Sequence, residues 1–200
     1  MQLLDAVSGL VISQKKEWGE IFTGFETKNK YIVLDSTGRE LYMAGEEGGS
    51  MLFRWFLRAL RPFEINVRRF DHQLVIRVVR PFRFFFHELN VYGAKGNLLG
   101  TIKREFALLR RIYSVFDPNN RRIFQLFGPI LHPWTFEIRD DSKEYGKITK
   151  KWSGLLKEGF TDADNFGVTF PNDWSNEQKA LFLGTVFLID FVHFEDKGNN

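Results

Sequence analysis

Between Lys30 and Ile148 the apolar residues recur at every second position in short runs, and each run ends in residues that reverse a chain. Tyr31 and Val33 alternate ahead of Asp35-Ser36-Thr37-Gly38, and Leu41 and Met43 alternate on the return. Phe63, Ile65 and Val67 lead into Asp71-His72 and back through Leu74, Ile76 and Val78. Leu89 and Val91 precede Gly93-Ala94-Lys95-Gly96-Asn97, with Leu98 and Ile102 beyond it. Tyr113 and Val115 precede Asp117-Pro118-Asn119-Asn120, followed by Phe124 and Leu126. Trp134, Phe136 and Ile138 precede Asp140-Asp141-Ser142-Lys143, followed by Tyr145 and Ile148. Period-two apolarity with Asp, Asn, Gly and Pro at the reversals predicts antiparallel hairpins. The last four turns recur every 22 to 24 residues, so the hairpin is a repeated unit. Five hairpins supply ten strands, and the flanking segments can supply two more. That many strands must close into a barrel or stack as a sandwich to avoid open edges.

The pattern changes after Trp174. Ser175 with Gln178 three residues on is a capping box, which predicts a helix start. Leu181, Phe182, Leu183, Val186, Phe187, Leu188 and Ile189 then occupy the whole circumference of that helix. A helix apolar all round is buried, in a protein interior or in lipid. The uncharged run from Ala180 to Ile189 is ten residues long, and Asp190 and His193 interrupt the apolar residues beyond it. Even extended to Phe194 the segment reaches about 22 Å, against about 30 Å of bilayer hydrocarbon. Length therefore places the helix inside the protein, and a barrel wrapped around it houses the helix and removes the sheet edges together. Asp190, a carboxylate in an apolar helix, is costly unless paired. It is either a satisfied partner of an Arg or a backbone group, or a functional acid.

One interval breaks the hairpin spacing. Between the first and second turns lies MLFRWFLRALR at 51–61. Arg54, Arg58 and Arg61 fall at i, i+4 and i+7 on one helical stripe, and Trp55, Phe56 and Leu57 are among the apolar residues on the other sides. Arginine on one face with Trp, Phe and Leu on the other is the pattern of an interfacial membrane helix; a helix plugging one barrel mouth fits equally. A second patch, Arg80-Pro81-Phe82-Arg83-Phe84-Phe85-Phe86, has the same chemistry in a loop between hairpins and reads as exposed.

Charge adds to that picture. Of 200 residues, 28 are Lys or Arg and 25 are Asp or Glu, a net charge of +3. Residues 51–130 alone hold 15 basic against 5 acidic residues, and 13 of the 15 are arginine. Arginine binds phosphate in a bidentate fork, so an anionic phospholipid membrane or a nucleic acid is the partner class; outer strand faces solvated by arginine are the plain alternative. Nothing beyond bulk charge points to nucleic acid. Cysteine is absent, which excludes disulfides, thiolate metal sites and S-palmitoylation of this chain. The four histidines stand far apart. No GxSxG, Walker, HExxH or GxGxxG pattern is present, so no enzyme is expected. Met1 to Trp18 lacks a secretory signal, and the expected location is cytoplasmic, on the inner face of a membrane.

Four stretches resemble the phospholipid scramblase family: TGFETKNKY at 23–31, RPFEINV at 61–67 with RPFRFFFHELNVY at 80–92, GKITKKWSGLLKEGFTDADNFGVTFPND at 146–173, and FLGTVFLIDFVHFE at 182–195. The resemblance implies a single mainly-β domain of tubby-like (LURP-one-related) fold, a closed antiparallel barrel of about 12 strands around a central hydrophobic helix. It also implies ATP-independent, calcium-dependent, bidirectional movement of phospholipids between leaflets. The alternative is a peripheral tubby-like adaptor that holds anionic lipid headgroups without scrambling. Better-known members carry acylated cysteine clusters where this chain has MLFRWFLRALR and RFFF. Arg54, Trp55, Phe56, Leu57, Arg58, Arg61, Arg83, Phe84, Phe85 and Phe86 are therefore expected to make the membrane contact in their place.

The family's calcium motif corresponds to DADNFGVTFPND at 162–173. In a twelve-residue frame Asp162, Asp164, Phe166, Val168, Phe170 and Asp173 take the ligand positions, for a weak Ca2+ site, with Gly167 at position 6. Position 5 is Phe and position 12 is not Glu, and Phe166, Val168 and Phe170 alternate as a strand does. A turn before a core strand is the competing reading.

Overall fold

A computed structural model describes residues 4–5, 7–15, 29–47, 62–82, 87–108, 110–132, 134–150 and 165–193. The alternating segments form twelve strands: β1 (Gly9–Lys15), β2 (Lys30–Asp35), β3 (Glu40–Glu46), β4 (Phe63–Arg68), β5 (Leu74–Arg80), β6 (Glu88–Gly93), β7 (Leu98–Arg104), β8 (Arg111–Phe116), β9 (Arg122–Gly128), β10 (Thr135–Arg139), β11 (Glu144–Lys150) and β12 (Asn165–Thr169). Each strand pairs antiparallel with its neighbours in sequence, and β1 closes the ring between β2 and β12. All five hairpins predicted from the periodicity are present.

The tight turns are built with one recurring device. Asp35 accepts hydrogen bonds from the backbone N–H groups of Thr37 and Arg39 and from Arg39 Nε. Asp117 does the same for Asn119, Arg121 and Arg121 Nε, and Asp140 for Ser142 and Lys143. Left-handed residues complete four of the turns: Gly38, His72, Gly96 and Asn120. These bonds favour the ionised aspartate. Burial pushes the Asp35 carboxyl up, but the donors from Thr37 and Arg39 hold it below its ordinary value.

The C-terminal helix α1 (Asn176–His193) fills the lumen. Its capping box forms as expected: Ser175 N–H donates to Gln178 Oε1, and Gln178 N–H donates to Ser175 Oγ. Leu181, Phe182, Leu183, Val186, Phe187, Leu188, Ile189 and Asp190 are all buried. The helix lies close against the β6–β7 wall. A Cβ at Gly184 would stand 2.7 Å from Val91 Cγ2, and one at Gly100 would stand 2.9 Å from Leu181. Phenylalanine fills much of the space between, with Phe63 stacked on Phe191 at 4.1 Å and Phe124 edge-on to Phe182 at 5.5 Å.

Two features depart from the simple alternation. Strands β1–β3 are buried on both faces: Val11, Ile32, Leu34 and Met43 point away from the lumen and are buried all the same. Lys179, in the second turn of α1, is also buried. Its Nζ donates to the carbonyls of Leu4, Asp5 and Asn172 at 2.9, 3.2 and 3.0 Å, which ties the N-terminal segment and the β12–α1 link to the helix. Burial lowers the Lys179 pKa, and the three carbonyls are what hold the ammonium there.

Candidate functional site: the loop end of the barrel

The up-and-down connectivity sorts the connections by end. The five tight turns lie at one end together with the start of α1. The other end receives the connections 16–29, 47–62, 81–87, 105–110, 129–134 and 151–164, and the C-terminal turn of α1. Both expected lipid-contact segments therefore join strands at this loop end. Their residues Arg54, Trp55, Phe56, Leu57, Arg58, Arg61, Arg83, Phe84, Phe85 and Phe86 lie outside the described residues. Arg80, read as part of an exposed patch, is 2% exposed and points into the barrel. It ends β5 in phase with Ile76 and Val78, so the pleat turns it inward.

Arg80 belongs to a polar layer that closes the lumen at this end. Period two carries inward-facing strands outward to it: Ile12 to Gln14, Tyr31 to Asn29, Ala44 to Glu46, Leu89 to His87, Ile102 to Arg104, Tyr113 to Arg111 and Ile148 to Lys150. On one side Gln14 Nε2 donates to Asn29 Oδ1 at 3.2 Å, and Asn29 Nδ2 donates to Glu46 Oε2 at 2.9 Å. On the other, Arg80 Nη2 donates to His87 Nδ1, and the Arg80 guanidinium lies over the Phe63 ring. Arg111 lies 4.5 Å from the Phe136 ring centroid and reaches the carbonyls of Pro129 and His132. Arg104 pairs across the sheet with Tyr113.

This electrostatic setting is cationic and partly desolvated. Burial, with Arg80 and Arg104 beside it, drives the His87 pKa from 6.5 down to about 4. The ring is thus neutral at pH 7, in keeping with an Nδ1 that accepts from Arg80. Burial raises the Tyr113 hydroxyl to about 12, against the opposing pull of Arg104, Arg111 and Arg80.

Two tyrosines hold the end of α1 within this layer. Tyr31 Oη donates to Asp190 Oδ2 at 2.9 Å, and Tyr113 Oη lies 2.7 Å from His193 Nε2. Strands β2 and β8 are six apart in a ring of twelve, so the helix is fastened across the barrel's diameter. Asp190 is therefore a satisfied buried group, with the Tyr31 hydroxyl among its partners.

The twelve-residue calcium frame is split by a strand. Phe166 and Val168 lie in β12, paired on both sides with β1 and β11, and their side chains are buried, as is that of Phe170. Asp173 follows β12 in the turn at the tight-turn end, whereas the chain enters β12 at the loop end. Five strand residues, about 17 Å, separate the two. Asp162 and Asp164 lie outside the described residues. Among the described residues no three His, Asp or Glu side chains gather as a metal would need. Within the described part of the frame the buried side chains of Phe166, Val168 and Phe170 offer no oxygen to Ca2+.

Sequence reasoning missed the inward polar layer. Its signal was present as the polar residue two places beyond the last buried apolar residue in many of the strands, but reading it needs the strand ends and their register.

A sequence model of the Scramblase family matches residues 1–196. The chain is similar to phospholipid scramblase 1 of Mus musculus, 32% identical across 100% of this chain and 65% of that protein. It is likewise similar to phospholipid scramblase 1 of Homo sapiens, at 32% identity over 100% of this chain and 67% of that protein. Phospholipid scramblase 2 of Bos taurus is 32% identical over 98% of this chain and 71% of its own length. The chain thus spans about two thirds of these relatives. An X-ray structure of an Arabidopsis thaliana protein matches with a TM-score of 0.51 over 92% of this chain and 90% of that one, at 14% identity, and shares the fold.

Proposed function

Because the chain belongs to the phospholipid scramblase family, we propose that it acts on membranes as a phospholipid scramblase-like protein, meeting anionic phospholipid at the loop end of its barrel. Family membership over residues 1–196 carries this reading. The cationic layer at the loop end supports it, because Arg104 and Arg111 are partly exposed there and a guanidinium binds phosphate in a bidentate fork. ATP-independent movement of lipid in both directions is part of the proposal, and the path runs outside the lumen. Apolar helix residues pack that space, leaving no room for a headgroup.

The filled lumen favours a second reading, a peripheral module that holds anionic headgroups without moving them. Among the described residues no helix is long and apolar enough to cross a membrane, which is compatible with either. A dithionite-quench assay on vesicles carrying the purified protein separates the two. Bleaching of inner-leaflet label supports scrambling; vesicle binding without bleaching supports the module. Calcium dependence enters the same assay. Should calcium act, its ligands would be sought before β12, at Asp162 and Asp164. Asp162→Ala should then abolish a calcium response, and Asp173→Asn should leave it intact.

A further inference from the structure

Large exposed apolar side chains are concentrated at one end of this barrel. Among the described residues seven are exposed: Phe70 at the tight-turn end, and Phe82, Phe106, Leu108, Ile130, Leu131 and Trp134 in the connections of the loop end. The most exposed are Phe106 at 83%, Leu108 at 85% and Leu131 at 88%, with Ile130 at 59%. They stand together. The connection 105–110 enters β8 and the connection 129–134 leaves β9, and Arg111 pairs with Gly128 where these strands adjoin. Arg111 Nη2 also reaches the carbonyls of Pro129 and His132 at 3.5 and 3.4 Å, tying the second tip to the base of the first.

The second tip is a turn with unusual chemistry. His132 N–H donates to Pro129 C=O, so Ile130 and Leu131 occupy the two central positions. Those positions ordinarily hold Gly, Asn, Asp or Ser. Three of the tight turns at the far end obey that rule, with Ser36-Thr37, Pro118-Asn119 and Asp141-Ser142 at their tips, while the other two carry Phe70-Asp71 and Ala94-Lys95. Among the described residues one large apolar side chain is exposed at the tight-turn end, Phe70 at 40%, against six at the loop end, three of them above 80%. Cations flank the apolar tips: Arg110 is exposed, Arg111 and Arg104 lie just inside, and the nearby Glu105 is engaged by Ser114 Oγ. Exposed apolar side chains with arginine beside them complement an anionic lipid surface, with the side chains in the headgroup–acyl boundary and the guanidinium groups on phosphates.

We infer that Phe106, Leu108, Ile130 and Leu131 insert into an anionic lipid surface and set the barrel upright on it, loop end down and tight turns in water. This rests on the membrane reading above and adds the anchoring side chains and the orientation.

Because the natural chain has no cysteine, single nitroxide labels report position cleanly. Leu131→Cys and Lys95→Cys proteins would be bound to phosphatidylcholine vesicles with and without phosphatidylserine, and label depth read by paramagnetic quenching. The Leu131 label should lie below the headgroups and the Lys95 label in water. The combined variant F106S/L108S/I130S/L131S should lose at least about tenfold in partitioning, with an unchanged melting temperature since all four side chains are exposed. Wild-type protein that binds these vesicles, with affinity unchanged in the combined variant or with the Leu131 label in water, overturns the inference and leaves the membrane reading standing. Wild-type protein that binds no vesicle at low salt overturns both. Loss of a dimer in the combined variant, with vesicle binding intact, assigns the patch to self-association and also overturns the inference.

Discussion

Protonating His87 would set a second positive charge against Arg80 inside the barrel, and that makes this one ring a reporter of the whole layer. Its pKa is about 4 in the folded protein and 6.5 as an ordinary histidine. The unfolded chain therefore binds more protons between those values, and stability falls as the pH falls. The contribution is complete above about pH 6.5 and lost by about pH 4, on the order of 2–3 kcal/mol. His87→Gln should flatten this part of the pH dependence in denaturant titrations; an unchanged slope would assign it to other groups. Tyr31 offers a second test at this scale. Tyr31→Phe keeps the packing against Phe187 and removes the hydroxyl that donates to Asp190. A loss of about 1–3 kcal/mol is expected, the cost of a buried acceptor deprived of a donor. The sequence marked Asp190 as a carboxylate in need of a partner but not which one, because Tyr31 and Asp190 lie 159 residues apart and meet only when helix and barrel assemble.

Single elements were the most legible level. Period-two runs closed by Asp-, Asn- and Gly-rich turns located the five hairpins, since local turn chemistry fixes them without help from distant residues. The capping box and the all-round apolar surface located α1 for the same reason. In one segment two element readings competed, a fixed ligand spacing and a strand alternation. The frame 162–173 matches ligand positions by count, yet β12 spends Phe166 and Val168 on the lumen and carries Asp173 to the far end. Element reading was incomplete in β2, where Tyr31, Ile32, Val33 and Leu34 are apolar without a break and both faces are buried. Alternation reports one buried face and cannot say that the other is covered too. The fit of α1 to its wall gives the element-scale prediction. Gly184→Ala would place a methyl group 2.7 Å from Val91 Cγ2, a branched side chain with little freedom to yield. Overpacking should cost about 1–3 kcal/mol despite alanine's better helix propensity; a higher melting temperature would show that α1 can shift in the lumen.

For the molecule as a whole, the up-and-down ring separates two ends with different chemistry. The tight turns, the start of α1 and the Lys179 anchor lie at one. The cationic layer, the fastened end of α1 and the apolar tips lie at the other. The closed barrel and its central helix were legible in the sequence because edge removal and helix burial leave few other solutions. The candidate contact surface was legible only in part: arginine and phenylalanine marked 51–61 and 80–86, whereas the exposed tips at Phe106, Leu108, Ile130 and Leu131 fall outside those segments. With the loop end on lipid, α1 stays housed in the barrel. Photolabelling of vesicle-bound protein with a diazirine placed in the acyl chains, read peptide by peptide by mass spectrometry, tests this directly. Label should fall on 105–110 and 129–134 and spare 181–191; label on 181–191 would mean that the helix leaves the barrel for the bilayer.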